Sequence, residues 1–222
     1  IMGKLIVIEG VSDGVGKTTQ VKELYNKLVK EGKEVVYHHF PSYGSVGASM
    51  VEEYLKGNLG KREDVGVYAI SSFFAMDRFY AYHNGLKKTL DEDKIVLLDR
   101  YTTSNLIYQG SLFEREKEEK FLDYITDYEY NKLGLRKPDL VIFLKLDKSF
   151  TSTLRNNRDN EGVEGDINES DNTFLDKVYD NSLYVADKYN FKVIECSSDG
   201  KLRSIDDISK EVYDIVRKEL EL

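Results

Sequence analysis

The sequence predicts an α/β protein of three layers, with helices on both faces of a five-stranded parallel sheet. Three observations lead there. Short Val/Ile/Leu-rich runs recur at residues 5–8, 35–40, 95–98, 140–146 and 192–196, the pattern of strands buried on both faces. Segments with helical spacing separate them, as βαβ units require. The first run leads straight into a glycine-rich turn and a helix, and in open sheets of this kind ligands sit outside the strand carboxyl ends.

The first run ends in Gly10-Val11-Ser12-Asp13-Gly14-Val15-Gly16-Lys17-Thr18-Thr19. Gly14 and Gly16 free the backbone to fold closely around an anion, with amide N–H groups turned inward at the positive end of the next helix. Lys17 supplies a flexible point charge for β- and γ-phosphates, and Thr18 a hydroxyl for Mg²⁺. Five residues separate Gly10 from Gly16 where the usual phosphate loop has about four, so Ser12 or Val11 is read as an extra residue bulged at the strand end. The helix over 18–31 places Val21, Leu24, Tyr25 and Leu28 on one face, and Gly32 stops it.

Each later strand end carries polar residues toward the same edge. After the second comes Phe40-Pro41-Ser42-Tyr43-Gly44, and after the third Asp99-Arg100-Tyr101, then Ser104, Asn105 and Tyr108. An apolar strand ending in Asp resembles the second magnesium element of phosphate-loop enzymes. On a predicted helix between them, Phe74 and Arg78 lie four apart and share a face. Taken singly, Phe74 reads equally well as core, and Arg78 as a surface ion pair with Asp77. Residues 158–171 are polar, include Gly162 and Gly165, and lack helical spacing. Such loops are functional lids or disordered, and a lid over about 155–171 suits a transfer that must exclude water. A terminal helix over 206–220 carries Ile208, Val212, Ile215 and Val216 on one face. No linker or repeat divides residues 1–222, which are read as one domain.

Composition narrows the partners. The 222 residues include 40 acids and 32 bases, for a net charge of −8. A chain so acidic lacks the basic footprint of a nucleic-acid binder, while a few cations in one cleft can still hold a small anion. No apolar run approaches the roughly 20 residues that span a bilayer, and there is no signal-peptide pattern, so no membrane partner is expected. Cys196 is the only cysteine, in keeping with a reducing cytoplasm. His38, His39 and His83 have neither metal spacing nor a nucleophile partner and are read as structural.

Taken together, Asp13-Gly-Val-Gly-Lys-Thr-Thr-Gln, Phe40-Pro-Ser-Tyr, Phe74-Ala-Met-Asp-Arg78 and Leu98-Asp-Arg-Tyr with Ser104, Asn105 and Tyr108 resemble the thymidylate kinase family over nearly the whole chain. The resemblance implies the P-loop NTPase fold, ATP and Mg²⁺ as cofactors, dTMP as acceptor and a homodimer. It also implies roles. Asp13, Gly14, Val15, Gly16, Lys17, Thr18 and Thr19 would hold the ATP phosphates, with Asp13 also at the acceptor's 3′-hydroxyl. Phe74 would stack on thymine while Arg78 and Asn105 bond its edge, and Tyr108 would lie under the sugar, disfavouring a 2′-hydroxyl. Arg100 and Tyr43 would hold the acceptor phosphate in a pocket shaped by Phe40 and Pro41, with Ser104 nearby. Lys17 would bridge donor and acceptor phosphates, and Thr18 with Asp99 would hold magnesium. The residue after Asp13 is Gly14, so the loop brings no transition-state arginine. Arg155 and Arg158 at the lid entrance remain, either of them free to be that cation. Two rival functions stay open: a kinase for another pyrimidine monophosphate or a deoxynucleoside, and a nucleotide-binding module with impaired turnover.

Overall fold

The computed structural model describes residues 3–12, 14–151 and 171–221. In chain order the elements are β1 (Lys4–Gly10), α1 (Lys17–Lys30), β2 (Val35–His39), α2 (Ser49–Leu55), α3 (Arg62–Val65) and α4 (Val67–Ala81). A π-turn at Tyr82–Leu86 leads to α5 (Lys87–Asp91) and β3 (Ile95–Asp99), and a mixed helical stretch then runs over residues 102–112. There follow α6 (Arg115–Thr126), a π-turn (Asp127–Lys132), β4 (Leu140–Lys145), α7 (Asn172–Lys188), β5 (Lys192–Glu195) and α8 (Ile205–Leu220). A two-residue hairpin, Ser197–Ser198 with Lys201–Leu202, follows β5. It has no apolar run to announce it.

The five predicted strands form one parallel sheet in the order β2-β3-β1-β4-β5. Helices cover both faces because both faces are apolar. On one side Ile6, Ile8, Leu97 and Ile142 pack against Val21, Leu24 and Leu28 of α1 and Val212 and Val216 of α8. On the other, Leu5, Val7, Val96 and Leu98 pack against Leu86 and Leu90 beyond α4. Cys196 is buried at the end of β5, and that burial pushes its thiol up to about 12.

The register sets the chemistry. Ile8 and His39 both lie beside Asp99 across the sheet, so β1, β2 and β3 finish level and their following loops share one edge. The extra loop residue is resolved between its two candidates. Val11 is buried and its N–H still bonds the carbonyl of Leu144 at 3.1 Å, which extends the strand's pairing. The departure therefore begins at Ser12.

Candidate active site

A cavity of about 510 Å³ opens along this edge. Lining it are Gly14, Gly16, Lys17, Thr18 and Thr19 at one end and Phe74, Arg78, Asn105 and Tyr108 at the other. Phe40, Pro41, Tyr43, Asp99, Arg100 and Ser104 also border the cavity. Sequence motifs more than eighty residues apart thus meet in one cleft. Val15 is buried beneath the loop. Asp13, Arg155 and Arg158, with residues 155–170 of the expected lid, lie outside the described residues. Asp171, the last residue of the expected lid, is described, and its side chain caps α7 through the Phe174 N–H.

At the phosphate end, Gly16 enters α1 with φ +98°, a left-handed conformation that glycine adopts without a Cβ penalty. Lys17 is buried, and its Nζ donates to the Ser12 carbonyl at 2.9 Å, so the added residue is what the ammonium holds. The Thr18 hydroxyl donates to Asp99 Oδ2 at 2.8 Å. Asp99 is 1% exposed, and its Oδ1 has no hydrogen-bond partner among the described residues. Burial disfavours its charge, but His39 and the positive Lys17 and Arg100 outweigh that and hold the carboxyl below its ordinary range.

His39 corrects one expectation. Rather than being merely structural, it borders the cavity, with Nδ1 3.4 Å from Asp99 Oδ2. His38 does keep a structural place, bonding the Ser42 hydroxyl at 2.8 Å and meeting Phe40 edge-on.

Arg100 sits between the two ends. Its φ is +68°, a left-handed conformation costing roughly 1–2 kcal/mol for a residue with a side chain. Three contacts then hold the guanidinium: Glu9 at 3.6 Å, the Ser104 hydroxyl at 3.4 Å and the Tyr108 hydroxyl at 3.3 Å. Glu9 is fully buried and accepts from the hydroxyls of Thr103 at 3.0 Å and Ser104 at 2.6 Å. It was not singled out for any role from the sequence.

At the far end, Arg78 is not a surface ion pair with Asp77; both are buried. Asp77 Oδ2 accepts from the Ser42 N–H at 2.8 Å, tying the Phe40-Pro41-Ser42 turn, whose Phe-Pro bond is cis, to α4. A Cβ on Gly47 would fall 2.7 Å from Tyr80 Cβ and 3.2 Å from Asp77 Cα, so glycine there lets the same loop press on the helix. Arg78 instead makes a two-pronged bond to Glu129, Nε to Oε2 and Nη2 to Oε1, both 2.6 Å. Glu129 overcomes the burial that would otherwise weaken the guanidinium's charge. Glu129 also accepts from the Thr102 hydroxyl at 2.7 Å and from Asn105 Nδ2 at 2.8 Å. Phe74 serves both readings at once, lining the cavity while packing on the cluster of Val51, Tyr54, Leu55 and Ile70.

Sequence reasoning missed Glu129, although a signal existed. Leu122, Ile125 and Glu129 are spaced three and four apart, so an acid continues the buried stripe of α6. An acid in such a place requires partners. Arg62 was missed as well; it lies over the Phe174 ring at 3.7 Å and meets Asp171 at 3.3 Å.

Comparison with known proteins gives the family. A family model described as thymidylate kinase matches residues 8–207. The thymidylate kinase of Mycobacterium tuberculosis is 38% identical over 143 residues, 63% of this chain and 64% of that protein. The chain thus matches just under two thirds of that relative's length. The thymidylate kinase of Pelotomaculum thermopropionicum is 32% identical over 222 residues, covering 97% of both chains. The solved thymidylate kinase of Candida albicans shares the fold with a TM-score of 0.74 at 24% identity, covering 99% of this chain and 93% of that one. The chain belongs to the thymidylate kinase family.

Proposed function

We propose that this protein transfers the γ-phosphoryl group of ATP to dTMP, giving dTDP and ADP for the supply of dTTP. The observation that carries this reading is one cleft with the glycine-loop lysine at one end and Phe74, Arg78, Asn105 and Tyr108 at the other. Phe74 stacks on the thymine, and Tyr108 packs under the sugar where a 2′-hydroxyl would crowd it. Arg100 and Tyr43 hold the acceptor phosphate between Phe40, Pro41 and Ser104. The amides of Gly14, Val15, Gly16, Thr18 and Thr19 cradle the donor phosphates, joined by Asp13 at the acceptor's 3′-hydroxyl.

Transfer is direct and in line. Fixed geometry supplies the entropic share of the rate. Lys17, released from the Ser12 carbonyl, moves onto the β- and γ-phosphates, and with Arg100 it spreads charge over the equatorial oxygens. Arg155 or Arg158 brings a further cation as the lid closes, worth about 10³–10⁵ in related reactions. The donor set fits Mg²⁺. This ion takes one or two protein oxygens plus phosphates and water, and the Thr18 hydroxyl lies beside an Asp99 carboxylate with one oxygen unengaged among the described residues. When bound, the ion neutralises developing charge on the bridging phosphates.

The residues work as one kinase domain, in the cytoplasm and as a homodimer. In support of the dimer, α4 exposes Tyr68, Met76, Phe79 and Tyr80, with Tyr124 of α6 5.0 Å from the Tyr68 ring. An apolar face of this kind suits an isologous contact. No helix among the described residues is long and apolar enough to cross a membrane. A coupled ADP-release assay across dTMP, dUMP, UMP, dCMP and thymidine tests the function. Preference for dTMP is expected, whereas preference for thymidine would replace the monophosphate reading, and ATP and dTMP binding without ADP would mean a module without turnover.

A further inference from the structure

The base pocket is polarised by a residue that never faces the ligand. Glu129 is fully buried and accepts four hydrogen bonds, two from Arg78, one from Asn105 and one from Thr102. Asn105 Nδ2 donates both to Glu129 and, at 3.0 Å, to the Ser71 carbonyl. Two acceptors around one atom fix which end of the amide is nitrogen. Asn105 Oδ1 therefore remains, buried and with no partner among the described residues, in a side chain that borders the cavity. Arg78 Nη1, the guanidinium nitrogen Glu129 does not engage, stays a donor. Both residues border the cavity, so the edge they form carries one acceptor and one donor that Glu129 does not engage.

We infer that Glu129 is a positioning residue that sets base specificity, holding Asn105 and Arg78 so that the pocket accepts a base with a ring N–H beside a carbonyl and rejects one with a bare ring nitrogen beside an amino group. The inference rests on the dTMP reading above. Thymine N3 donates and its O4 accepts, matching Asn105 Oδ1 and Arg78. Cytosine reverses both groups, so it would set acceptor against acceptor and donor against donor. The carboxylate, which can only accept, enforces this direction together with the Ser71 carbonyl. An amide at 129 can donate as well, which removes one of the two acceptors on Nδ2 and leaves only the Ser71 carbonyl to keep Asn105 Oδ1 toward the ligand.

The test compares kcat/KM for dTMP and dCMP in the wild type and in Glu129→Gln. A site with buried polar groups rejects a mismatched ligand by about 10⁴–10⁵, and the wild-type ratio should lie in that range. Glu129→Gln should cut that ratio by about 10–100-fold, through a fall for dTMP that dCMP does not share. An equal fall for both would mark Glu129 as merely structural and overturn the inference. Should Glu129→Gln not fold, Glu129→Asp keeps a negative partner for Arg78 but draws the carboxylate back from Asn105, and it too must lose discrimination. Unmodified enzyme gives a control independent of folding. N3-methyl-dTMP, which has no N3–H to donate, should bind as poorly as dCMP, and binding equal to dTMP would overturn the inference. If the wild type prefers dCMP or ignores both monophosphates, the dTMP reading itself has failed.

Discussion

The two ends of the cleft are built differently. The end around Arg78 and Asn105, proposed to hold the base, is tied by a hydrogen-bonded lattice. Glu129 meets four donors, Asp77 pins the Phe40-Pro41-Ser42 turn, and Glu9 holds Ser104 while facing Arg100. At the glycine-loop end Lys17 bonds the carbonyl of Ser12, an interaction that the proposed transfer requires it to exchange for phosphate. A pocket meant to discriminate gains from groups fixed beforehand, because a mismatched ligand then leaves buried polar atoms unpaired. A site that handles charge in motion needs cations that can follow the phosphate. On the proposed function, the difference puts specificity and turnover in separate parts of one cavity.

If that separation holds, substitutions at one end should leave the other intact. The largest effect belongs to Lys17→Ala. Phosphoryl transfer should fall by at least about 10³-fold, while dTMP affinity measured by calorimetry stays within about threefold. A parallel loss of dTMP binding would break the comparison. Next comes Arg158→Ala, expected to lower kcat by about 10³-fold or more with little change in KM for dTMP. Wild-type kcat in that variant would shift the role to Arg155.

The base end can be probed through stability. Thr102→Val removes one bond to the Glu129 carboxylate and should lower unfolding free energy by about 1.5–3 kcal/mol, read by denaturant titration. KM for ATP should not move. The smallest effect concerns pH. Burial lowers the pKa of His38 behind the Phe40-Pro41-Ser42 turn, against the pull of Asp77. Its neutral form is thus favoured by folding. Below the ordinary value of 6.5 the unfolded chain binds the proton more readily, so stability should fall as pH drops through that value and level off below the folded one. His38→Gln, followed by thermal unfolding from pH 8 to 5, should flatten that slope, and an unchanged slope would remove His38 from the account.

Much of this was readable from the residues, and what escaped has a physical cause. Buried parallel strands are continuous apolar runs, so all five strands of the sheet could be placed. The phosphate loop and the Asp99-Arg100-Tyr101 turn are local in sequence and needed no tertiary information. His39 escaped because only the β2–β3 register brings it beside Asp99, and register is not written in either strand alone. Glu129 escaped because its four donors come from α4 and the residues after β3. Its place in the π-turn that carries on the buried stripe of α6 gave notice that some partner must exist, without saying which. Arg78 illustrates the reverse case: its neighbour Asp77 suggested a pair, yet adjacent helical residues point apart, and each found its partner elsewhere.

The most direct test of a preformed base end is calorimetric titration of dTMP into nucleotide-free enzyme, repeated with a non-hydrolysable ATP analogue present. The account predicts saturable binding, one dTMP to each chain, without any donor, and an affinity that the analogue changes by no more than about threefold. Binding that appears only once the analogue is added would contradict it.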